Sequence, residues 1–529
     1  MNSRIPVIDI FAGPGGLGEG FSLVDGENGI PFYRIALSVE KDPIACKTLK
    51  LRHFLRQFPP RDLPPEYYGY LRQQKNPEEI YQIKKYATQA IKADESVWHV
   101  ELGGNSAVDA ELDRRIADIL KGNDKWVLIG GPPCQAYSVV GRSRNSGIKN
   151  YVPGDDPRHF LYREYIRIIA KHKPAIFVME NVKGLLSSKI DDKRIFDEIL
   201  CSLKNPCNDN KQPKQRNSLR YSLYSISTEP HYMDDEGNPV YQRPTDFIVE
   251  PEKYEIPQAR HRVILIGVRH DLTEKGLSPD ILNPSDRMVS VQDVIAGMPQ
   301  IRSGLSKKNS GITDSKTAWL KTVKSTLIRS DENGFGKIVS PELADKIDEV
   351  ITTIKIPEAD TGGEYISGNY GANSYLLGWF KDDQLKGVLN HSYRLHMASD
   401  LHRYMFAACF AEIIKMSPKI SDFPDYLQPA HKNRQNNKFN DRFRVQLSWR
   451  YATTVTSHIS KDGHYFIHYD PYQCRSLTVR EAARLQTFKD NYFFCGNRTQ
   501  QYIQVGNAVP PLLSYQIAKN ISRLLEKSD

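Results

Sequence analysis

Near its N-terminus the chain joins a short apolar segment to a glycine-rich loop, and this arrangement strongly restricts the fold. Pro6 to Phe11 predicts a buried strand, and AGPGGLGEGF follows it directly. Gly13, Gly15 and Gly18 match G-x-G-x-x-G between that strand and a predicted helix. Glycines at this spacing let a nucleotide-like ligand approach the backbone closely, although a turn without a ligand would produce the same pattern.

An acidic residue follows the next apolar stretch. Phe32 to Val39 predicts a second strand, and Glu40 comes after it at a distance suited to an acid that binds ribose hydroxyls. The pattern fits a dinucleotide as well as S-adenosylmethionine. A dinucleotide places a phosphate at the helix N-terminus, and Glu19 in the opening turn makes that position less favourable for a phosphate.

A second loop presents a cysteine. Trp126 to Ile129 predicts a short buried strand, and two glycines end it. Pro132 and Pro133 stiffen the loop, which delivers Cys134 at the carboxyl end of the strand, where open α/β sheets bind their ligands. A lone cysteine in such a turn is more often a buried structural residue, so a chemical role depends on the neighbouring motifs.

A carboxylate follows the next predicted strand. Ala175 to Met179 is apolar and ends at Glu180 and Asn181. If this strand lies beside the strand that carries the cysteine, Cys134 and Glu180 face one crevice.

Further along the chain, three polar residues precede a predicted strand at Val263 to Val268. They are Gln258, Arg260 and Arg262, at a spacing of two residues that predicts one shared strand face. A solvated pair of arginines would give the same spacing.

The second half of the chain is less regular from about His270 to Cys474. Within it, His431 to Arg450 is basic and interleaved with aromatic residues, and Asp441 is its only acid. Basic and aromatic residues together suit nucleic-acid contact, whereas a solvated loop is the commoner origin of a charge run. Both interpretations stay open, and the candidate contacts are Lys438, Arg442 and Arg444.

The C-terminal part returns to a regular pattern. Thr478 and Glu481 form a predicted capping box at the start of a helix. The stretch QVGNAVPP, Gln504 to Pro511, predicts a tight loop, and a final helix is expected from about Leu512 to Leu525.

Length and composition set broad limits. The 529 residues allow two or three domains, with Phe54 to Glu95 and residues 201 to 246 interpreted as insertions. No apolar run is long enough to span a bilayer, and the early strand leaves no room for a signal peptide. The seven cysteines show neither zinc nor disulfide spacing, which favours a reducing cytoplasm. The net charge of +9 leans slightly toward a polyanionic partner.

Taken in order, these motifs resemble the cytosine-C5 DNA methyltransferases. They are DIFAGPGGLGEGF, GGPPCQAYS, ENV, PQARHR, RSLTVREAARLQTF and QVGNAVPP, and they span nearly the whole chain. The resemblance implies an α/β, Rossmann-like, S-adenosylmethionine-dependent methyltransferase sheet flanked by helices, plus a smaller mixed target-recognition domain. The expected divisions are residues 1–270 for the catalytic domain, 271–494 for target recognition and 495–529 for a segment returning to the catalytic domain.

The resemblance also implies the site. The methyl donor would be S-adenosylmethionine, with no metal. Its pocket would comprise Phe11, Gly13, Gly15, Gly16, Glu40, Glu101, Leu102, Pro133, Leu161 and Asn507, where Glu101 and Leu102 stand in for an acid-plus-aliphatic pair that is usually Asp-Ile.

The expected chemistry is covalent. The Cys134 thiolate would add to C6 of a flipped-out cytosine, making C5 nucleophilic enough to accept the methyl group. Glu180 would bind N3 and the exocyclic amine, and Arg262 would hold the O2 side, supported by Arg260 or Gln258.

The expected partner is double-stranded DNA, bound by a monomer in the cytoplasm at the nucleoid, with no membrane involved. A restriction endonuclease acting on the same site is a candidate partner. The alternatives are a transfer-RNA cytosine-C5 methyltransferase and a catalytically silent DNA-binding regulator on the same fold. An NAD-dependent dehydrogenase would explain only the glycine loop.

Overall fold

The computed structural model describes residues 4–60, 62–133, 161–190, 192–207, 219–307, 311–325, 340–370, 375–429 and 440–528. Cys134, the glycine- and serine-rich stretch after it and Lys438 therefore lie outside the described residues. The strands and α-helices of the described part are numbered separately, in chain order.

The strands are β1 Ile5–Ile10, β2 Tyr33–Glu40, β3 Val97–His99, β4 Val127–Gly130, β5 Ile176–Val182, β6 Lys189–Ile190, β7 Lys193–Arg194, β8 Tyr221–Tyr224, β9 Tyr232–Met233, β10 Pro239–Val240, β11 Ile248–Val249, β12 Gln258–Ala259, β13 Arg262–Arg269, β14 Gly304–Leu305, β15 Gly362–Ser367, β16 Gly387–Ser392, β17 Leu395–His396 and β18 Ala452–Thr453.

The helices are α1 Gly16–Ser22, α2 Pro43–Leu55, α3 Pro65–Arg72, α4 Ala87–Glu95, α5 Ser106–Leu120, α6 Leu161–His172, α7 Ile195–Lys204, α8 His270–Thr273, α9 Val291–Ile295, α10 Lys316–Val323, α11 Pro341–Thr353, α12 Leu377–Phe380, α13 Ala398–Ile414, α14 Val479–Leu485, α15 Arg498–Asn507 and α16 Pro511–Glu526. No helix of the described chain is both long enough and apolar enough to cross a membrane.

One large sheet organises the first half of the chain. Its strand order is β11-β13-β5-β4-β1-β2-β3, and β8 also pairs with β13. The strands β1 to β5 are mutually parallel, whereas β13 runs antiparallel to β5. The predicted α/β, Rossmann-like methyltransferase sheet is therefore confirmed.

Strand β4 lies in the middle of this sheet because its side chains are apolar on both faces. Leu128 packs into one hydrophobic cluster, while Val127 and Ile129 pack into another on the opposite face. Helices α5 and α6 cover the first face, and helices α1 and α16 cover the second. A short run that is apolar throughout is typical of a strand buried on both sides.

Helices α1 and α16 approach closely because glycine faces the contact. A Cβ atom at Gly16 would lie 2.2 Å from the Val509 carbonyl oxygen, and one at Gly20 would lie 2.4 Å from the Tyr515 nitrogen. The Ser514 hydroxyl donates to the Leu17 carbonyl over 2.6 Å. The last helix of the chain thus packs against the first, while the exact domain boundaries stay a prediction.

The second half of the described chain has two further cores. One surrounds α13 and includes the α11 side chains. The other joins residues 289–298 to α14 and α15, and it spans Val289 to Ala508. The predicted helix after Thr478 is confirmed, with Thr478 and Glu481 forming both halves of the capping box.

Two of the sequence expectations about insertions need correction. Part of 201–246 belongs to the central sheet, because Tyr221–Tyr224 pairs with β13 as β8. Residues 54–95 are not simply a surface insertion. Tyr67 and Tyr68 are buried with Phe54 in a cluster that also includes Leu385 from the second half.

The expected loop at Gln504 to Pro511 is also partly wrong. Gln504 to Asn507 form the last turn of α15, which begins after the Asn497 cap. Gly506 permits this helical turn to touch another segment, since a Cβ there would lie 2.2 Å from the Ser457 nitrogen. Only the three residues before Pro511 connect the two helices.

The α1–α16 contact generates a stability prediction. Gly20→Ala should lower the free energy of unfolding by about 1–3 kcal/mol, because the added methyl group overlaps the α16 backbone. Gly69→Ala in α3 is the matched control, because no atom lies within 4 Å of its added Cβ. The control should be neutral or more stable by up to about 1 kcal/mol. Urea unfolding of both variants measures the difference, and equal effects would contradict the packing argument.

Candidate active site

The carboxyl ends of four parallel strands define the candidate site. Strand β4 pairs in parallel with both β1 and β5, and β1 pairs in parallel with β2. The loops that follow these strands therefore emerge at one edge of the sheet. Ligands of open α/β sheets bind at this edge, close to the point where the strand order reverses.

The glycine loop after β1 has an unusual backbone. Phe11, Gly13 and Gly15 have φ values of 56°, 56° and 92°, in the left-handed region. A φ of this kind is strained for Phe11, which has a side chain, but costs a glycine little. A Cβ at Gly13 would meet nothing within 4 Å, so the loop is open at this residue.

Glu40 binds the open part of this loop. Its carboxylate accepts the Gly13 N–H over 2.8 Å, and the Lys41 and Asp42 N–H groups over 2.9 Å each. Three backbone donors fix the direction of the carboxylate at the end of β2. Oε1 accepts two of these donors and Oε2 accepts one, so Oε2 retains a lone pair for a hydroxyl donor from a ligand.

Three other predicted pocket residues lie around the loop after β3. Glu101 is exposed and forms an ion pair of 3.1 Å with Lys41. Leu102 is buried in the core. Leu161 begins α6, and its Cδ2 would lie 2.8 Å from a Cβ at Gly103.

The expected effect of Glu19 on phosphate binding is wrong, because its carboxylate does not face the loop as a free charge. Glu19 is fully buried and lies 2.6 Å from Arg52 and 2.9 Å from Arg56. Burial alone would raise the pKa of Glu19, but the two guanidinium groups hold it below its ordinary value. Glu19 therefore joins α1 to α2 instead of repelling an anion.

The cysteine loop is described as far as Pro133, and it lies directly beside Glu180. A Cβ at Gly131 would lie 2.8 Å from Glu180 Oε2. The Asn181 side-chain amide donates to the Pro132 carbonyl over 3.2 Å. The backbone that leads to Cys134 is thus bound to the end of β5.

Glu180 and Arg262 face each other across β5 and β13. Arg262 Nε lies 2.9 Å from Glu180 Oε1, and the two side chains are 12% and 14% exposed. The antiparallel register opposes Arg262 to Val182, two residues after the acid on β5. Burial lowers the pKa of Arg262 below its ordinary value, and Glu180 opposes that shift. The pair is open enough for a ligand to reach, yet sufficiently buried for strong electrostatic interaction.

Gln258, Arg260 and Arg262 do not share one strand face, so that prediction is wrong. The chain turns at Arg260, whose N–H donates to the Gln258 carbonyl over 3.0 Å, and β13 begins two residues later. The first strand, β12, pairs with Ala452–Thr453 instead of continuing into the central sheet.

Gln258 and Arg260 are both buried and bind the second half of the chain. The Gln258 amide accepts the Val455 N–H over 2.5 Å and donates to the Leu485 carbonyl over 3.2 Å. Arg260 Nη1 donates to the carbonyls of Val455 and Gly506 over 2.7 and 3.1 Å. These contacts position the segments around the crevice. Asn507 follows Gly506 and is exposed.

The sequence did not predict which residues outside the glycine loop hold its backbone in place. The Arg52 guanidinium lies 4.6 Å from the centre of the Tyr492 ring, and the Tyr492 hydroxyl donates to the Pro14 carbonyl. Arg52 in α2 and Arg56 at its C-terminal cap are four residues apart, and this spacing was the available signal. Their partner in α1 could not be recognised without the tertiary contact.

The two described candidate DNA contacts each have an acidic partner. Arg442 Nη2 lies 2.8 Å from Asp462, whereas Arg444 pairs with Asp441 in its own turn. Within the described ranges, no group of three or more His, Cys, Asp or Glu side chains is placed to hold a metal ion.

This sheet, with its glycine loop and acidic strand ends, defines a methyltransferase-type α/β protein. The profile of the C-5 cytosine-specific DNA methylases matches residues 85–206 and 241–523. The chain belongs to the C-5 cytosine-specific DNA methylase family, and it is an enzyme.

Three named relatives are similar to this protein over most of its length. The Type II methyltransferase M.Bpa9945I of Bacillus paralicheniformis is 32% identical over 98% of this chain and 99% of its own length. The Type II methyltransferase M.XorII of Xanthomonas oryzae pv. oryzae is 25% identical over 98% and 85%. The DNA (cytosine-5-)-methyltransferase M.ApeKI of Aeropyrum pernix is 25% identical over 77% and 83%.

The contacts of Gln258 predict a supporting role. Gln258→Ala should lower the free energy of unfolding by about 1–3 kcal/mol, because it leaves the buried Val455 N–H without an acceptor. The exposed Gln82→Ala is the matched control and should change stability by less than about 0.5 kcal/mol. Thermal or urea unfolding measures both. Unchanged stability together with lost methyl transfer would instead place Gln258 in contact with the substrate.

Proposed function

We propose that the enzyme transfers a methyl group from S-adenosylmethionine to C5 of a flipped-out cytosine in a specific duplex DNA sequence. Transfer proceeds through a covalent bond between Cys134 and C6 of the base. The observation that carries this proposal is the Glu180–Arg262 pair, which lies beside the backbone leading to Cys134. A carboxyl group and a guanidinium group complement the edge of a cytosine ring.

The loop after β1 fits the methyl donor. The open space at Gly13 allows a ligand to approach the backbone, and Oε2 of the amide-bound Glu40 carboxylate can accept a ribose hydroxyl. S-adenosylmethionine would supply an electrophilic methyl group on a positively charged sulfur. The residues proposed to hold it are Phe11, Gly13, Gly15, Gly16, Glu40, Glu101, Leu102, Pro133, Leu161 and Asn507.

Cys134 is the proposed nucleophile. Its thiolate adds to C6, the C5–C6 double bond opens, and the electron pair makes C5 reactive toward the methyl group. C5 forms a bond to the methyl carbon while the bond between that carbon and the donor sulfur breaks, and S-adenosylhomocysteine leaves. A base, such as a water molecule, then removes the proton from C5. The bond between sulfur and C6 breaks, the ring recovers its double bond and the thiolate is restored. Both faces of the ring are needed, so the base must leave the DNA stack.

Glu180 and Arg262 are proposed to stabilise the charge that develops on the ring. A protonated Glu180 donates to N3, where electron density accumulates after the thiolate adds. Arg262 donates to O2 while it remains close to Glu180. Arg260 and Gln258 act indirectly, because their side chains bind protein carbonyl and amide groups.

The second half is proposed to select the DNA sequence. On this proposal residues 1–270 and 495–529 perform the chemistry, and residues 271–494 contact duplex DNA through Lys438, Arg442 and Arg444. The proposed setting is the cytoplasm, with a monomer on DNA and a restriction endonuclease of the same specificity as a candidate partner. Similarity to Type II methyltransferases supports this proposal.

A tritiated-methyl transfer assay tests the reaction and its nucleic acid. The wild type should label duplex DNA but neither transfer RNA nor a reaction without nucleic acid. Cys134→Ala should lower transfer by several orders of magnitude while DNA binding survives, because the nucleophile is gone. Cys201→Ala, at an exposed cysteine, is the matched control and should keep wild-type activity. One tenth of wild-type turnover in Cys134→Ala would rule out the covalent mechanism. Labelling of transfer RNA instead of duplex DNA would show that the substrate is transfer RNA.

A pair of substitutions separates base recognition from cofactor binding. Glu180→Gln should slow a single turnover strongly with little change in S-adenosylmethionine affinity, because an amide cannot carry the ring proton. Glu40→Ala should weaken S-adenosylmethionine binding by about 1–3 kcal/mol through lost hydrogen bonds. Calorimetry and single-turnover rates should be measured on the same preparations. If Glu180→Gln weakens S-adenosylmethionine binding without slowing the turnover, Glu180 belongs to the cofactor pocket. If Glu40→Ala leaves the affinity unchanged, Glu40 does not bind the cofactor.

A further inference from the structure

Arg442 and Arg444 lie in the same segment but are held in different ways. The Arg442 guanidinium binds Asp462, a residue from a separate segment, with an Nη2–Oδ2 distance of 2.8 Å. Arg444 pairs with Asp441, three residues before it. The contact of Arg442 is long-range in sequence, so it orients the guanidinium relative to the domain rather than to its own turn.

Asp462 is itself fixed by further contacts. Its Oδ1 accepts the His464 N–H over 3.1 Å. The His464 ring lies 2.7 Å from the Tyr404 hydroxyl, which also lies 3.3 Å from the His396 ring. His464, Tyr404 and His396 are all buried. Asp462, which binds Arg442, is therefore hydrogen-bonded to a residue of a buried polar network.

The backbone of the segment that carries Arg442 is also fixed by hydrogen bonds. Arg444 N–H donates to the His464 carbonyl, and the Ile467 N–H donates back to the Arg444 carbonyl, each over 2.9 Å. Phe443 is buried in the α13 core, which leaves Arg442 and Arg444 to point outward with side chains 29% and 34% exposed. The two arginines are thus comparable in exposure and differ mainly in how their guanidinium groups are oriented.

This segment is also connected to the candidate active site. The Gln446 side-chain carbonyl accepts the Thr453 N–H over 2.9 Å. Thr453 belongs to β18, which pairs with β12, and β12 ends three residues before Arg262. The Arg442 segment is therefore linked to the start of β13 through the Gln446 side chain and the pairing of β12 with β18.

A phosphate and a base edge make different demands on an arginine. A phosphate contact needs positive charge and reach, and a neighbouring carboxylate weakens it. A guanine edge needs a planar fork of two donors held in one orientation, because O6 and N7 are bound together. Asp462 is the only acceptor of Arg442 among the described residues, and it occupies Nη2. The remaining donors of the fork stay available.

We propose that Arg442, oriented by Asp462, reads the major-groove edge of a guanine in the recognition sequence. The proposal rests on the proposed function, since it presupposes that the enzyme methylates duplex DNA. In this arrangement Asp462 is a positioning residue that does not touch the DNA. Arg444 pairs only with an acid of its own turn, so it is not held in one orientation relative to the domain and carries no sequence information.

The test maps methylated cytosines on a randomised duplex library and measures DNA affinity at two salt concentrations. Arg442→Lys keeps the charge but removes the fork, so discrimination at one guanine position should fall roughly tenfold to a hundredfold. The salt dependence of binding should stay unchanged. Asp462→Asn should relax the same position by a smaller factor. Arg444→Lys is the matched control and should leave every position unchanged.

The outcomes separate this proposal from the proposed function. A wild type that methylates no duplex DNA would refute the proposed function. A wild type with a defined sequence, together with an Arg442→Lys variant of the same specificity, would overturn only the role of Arg442. In a charge-removing Arg442→Gln variant, loss of affinity on all sequences with a smaller salt slope would make Arg442 a phosphate contact and overturn its role in base reading. If Arg442→Lys fails to fold in a thermal unfolding check, Asp462→Asn decides, and unchanged specificity there overturns the proposal.

Discussion

The structure depends on the parallel pairing of β4 between β1 and β5. Because parallel strands end at the same edge, this pairing gathers the glycine loop, the start of the cysteine loop and Glu180 in one place. Each of these groups lies far from the others along the chain. The side chains of β4 are apolar on both faces, so burial by helices on each side stabilises the strand in this central position.

Helix α14 is bound to other segments of the second half through buried arginines. Arg480 donates to the Leu389 carbonyl, and Arg484 donates to the Val294 carbonyl. Arg475 forms a fully buried pair with Glu481, at 2.7 Å, and Glu481 also completes the helix cap. Buried charges of this kind destabilise the fold unless they are paired and hydrogen-bonded. A different packing of these segments would leave the charges unpaired, so the pairs favour this one arrangement.

The local sequence pattern predicted strands, turns and helix caps better than it predicted which distant segments these elements contact. The glycine loop, the β4 strand and the Thr478 cap follow from local spacing, since strand periodicity and capping depend on neighbouring residues. The expected shared face of Gln258 and Arg262 was wrong because the backbone turns between them. That turn is stabilised by partners from the second half of the chain, which no local pattern reveals.

The sequence by itself determined the family, the order of the motifs and the residue types at the crevice. Cys134 and Glu180 follow predicted strands, and such positions can be read from the chain alone. Only the tertiary structure decided that Arg262 meets Glu180, that Glu19 is neutralised by Arg52 and that Arg442 is held by Asp462. The physical reason is that each of these pairs joins segments distant in sequence, and their meeting depends on the packing of whole helices and strands.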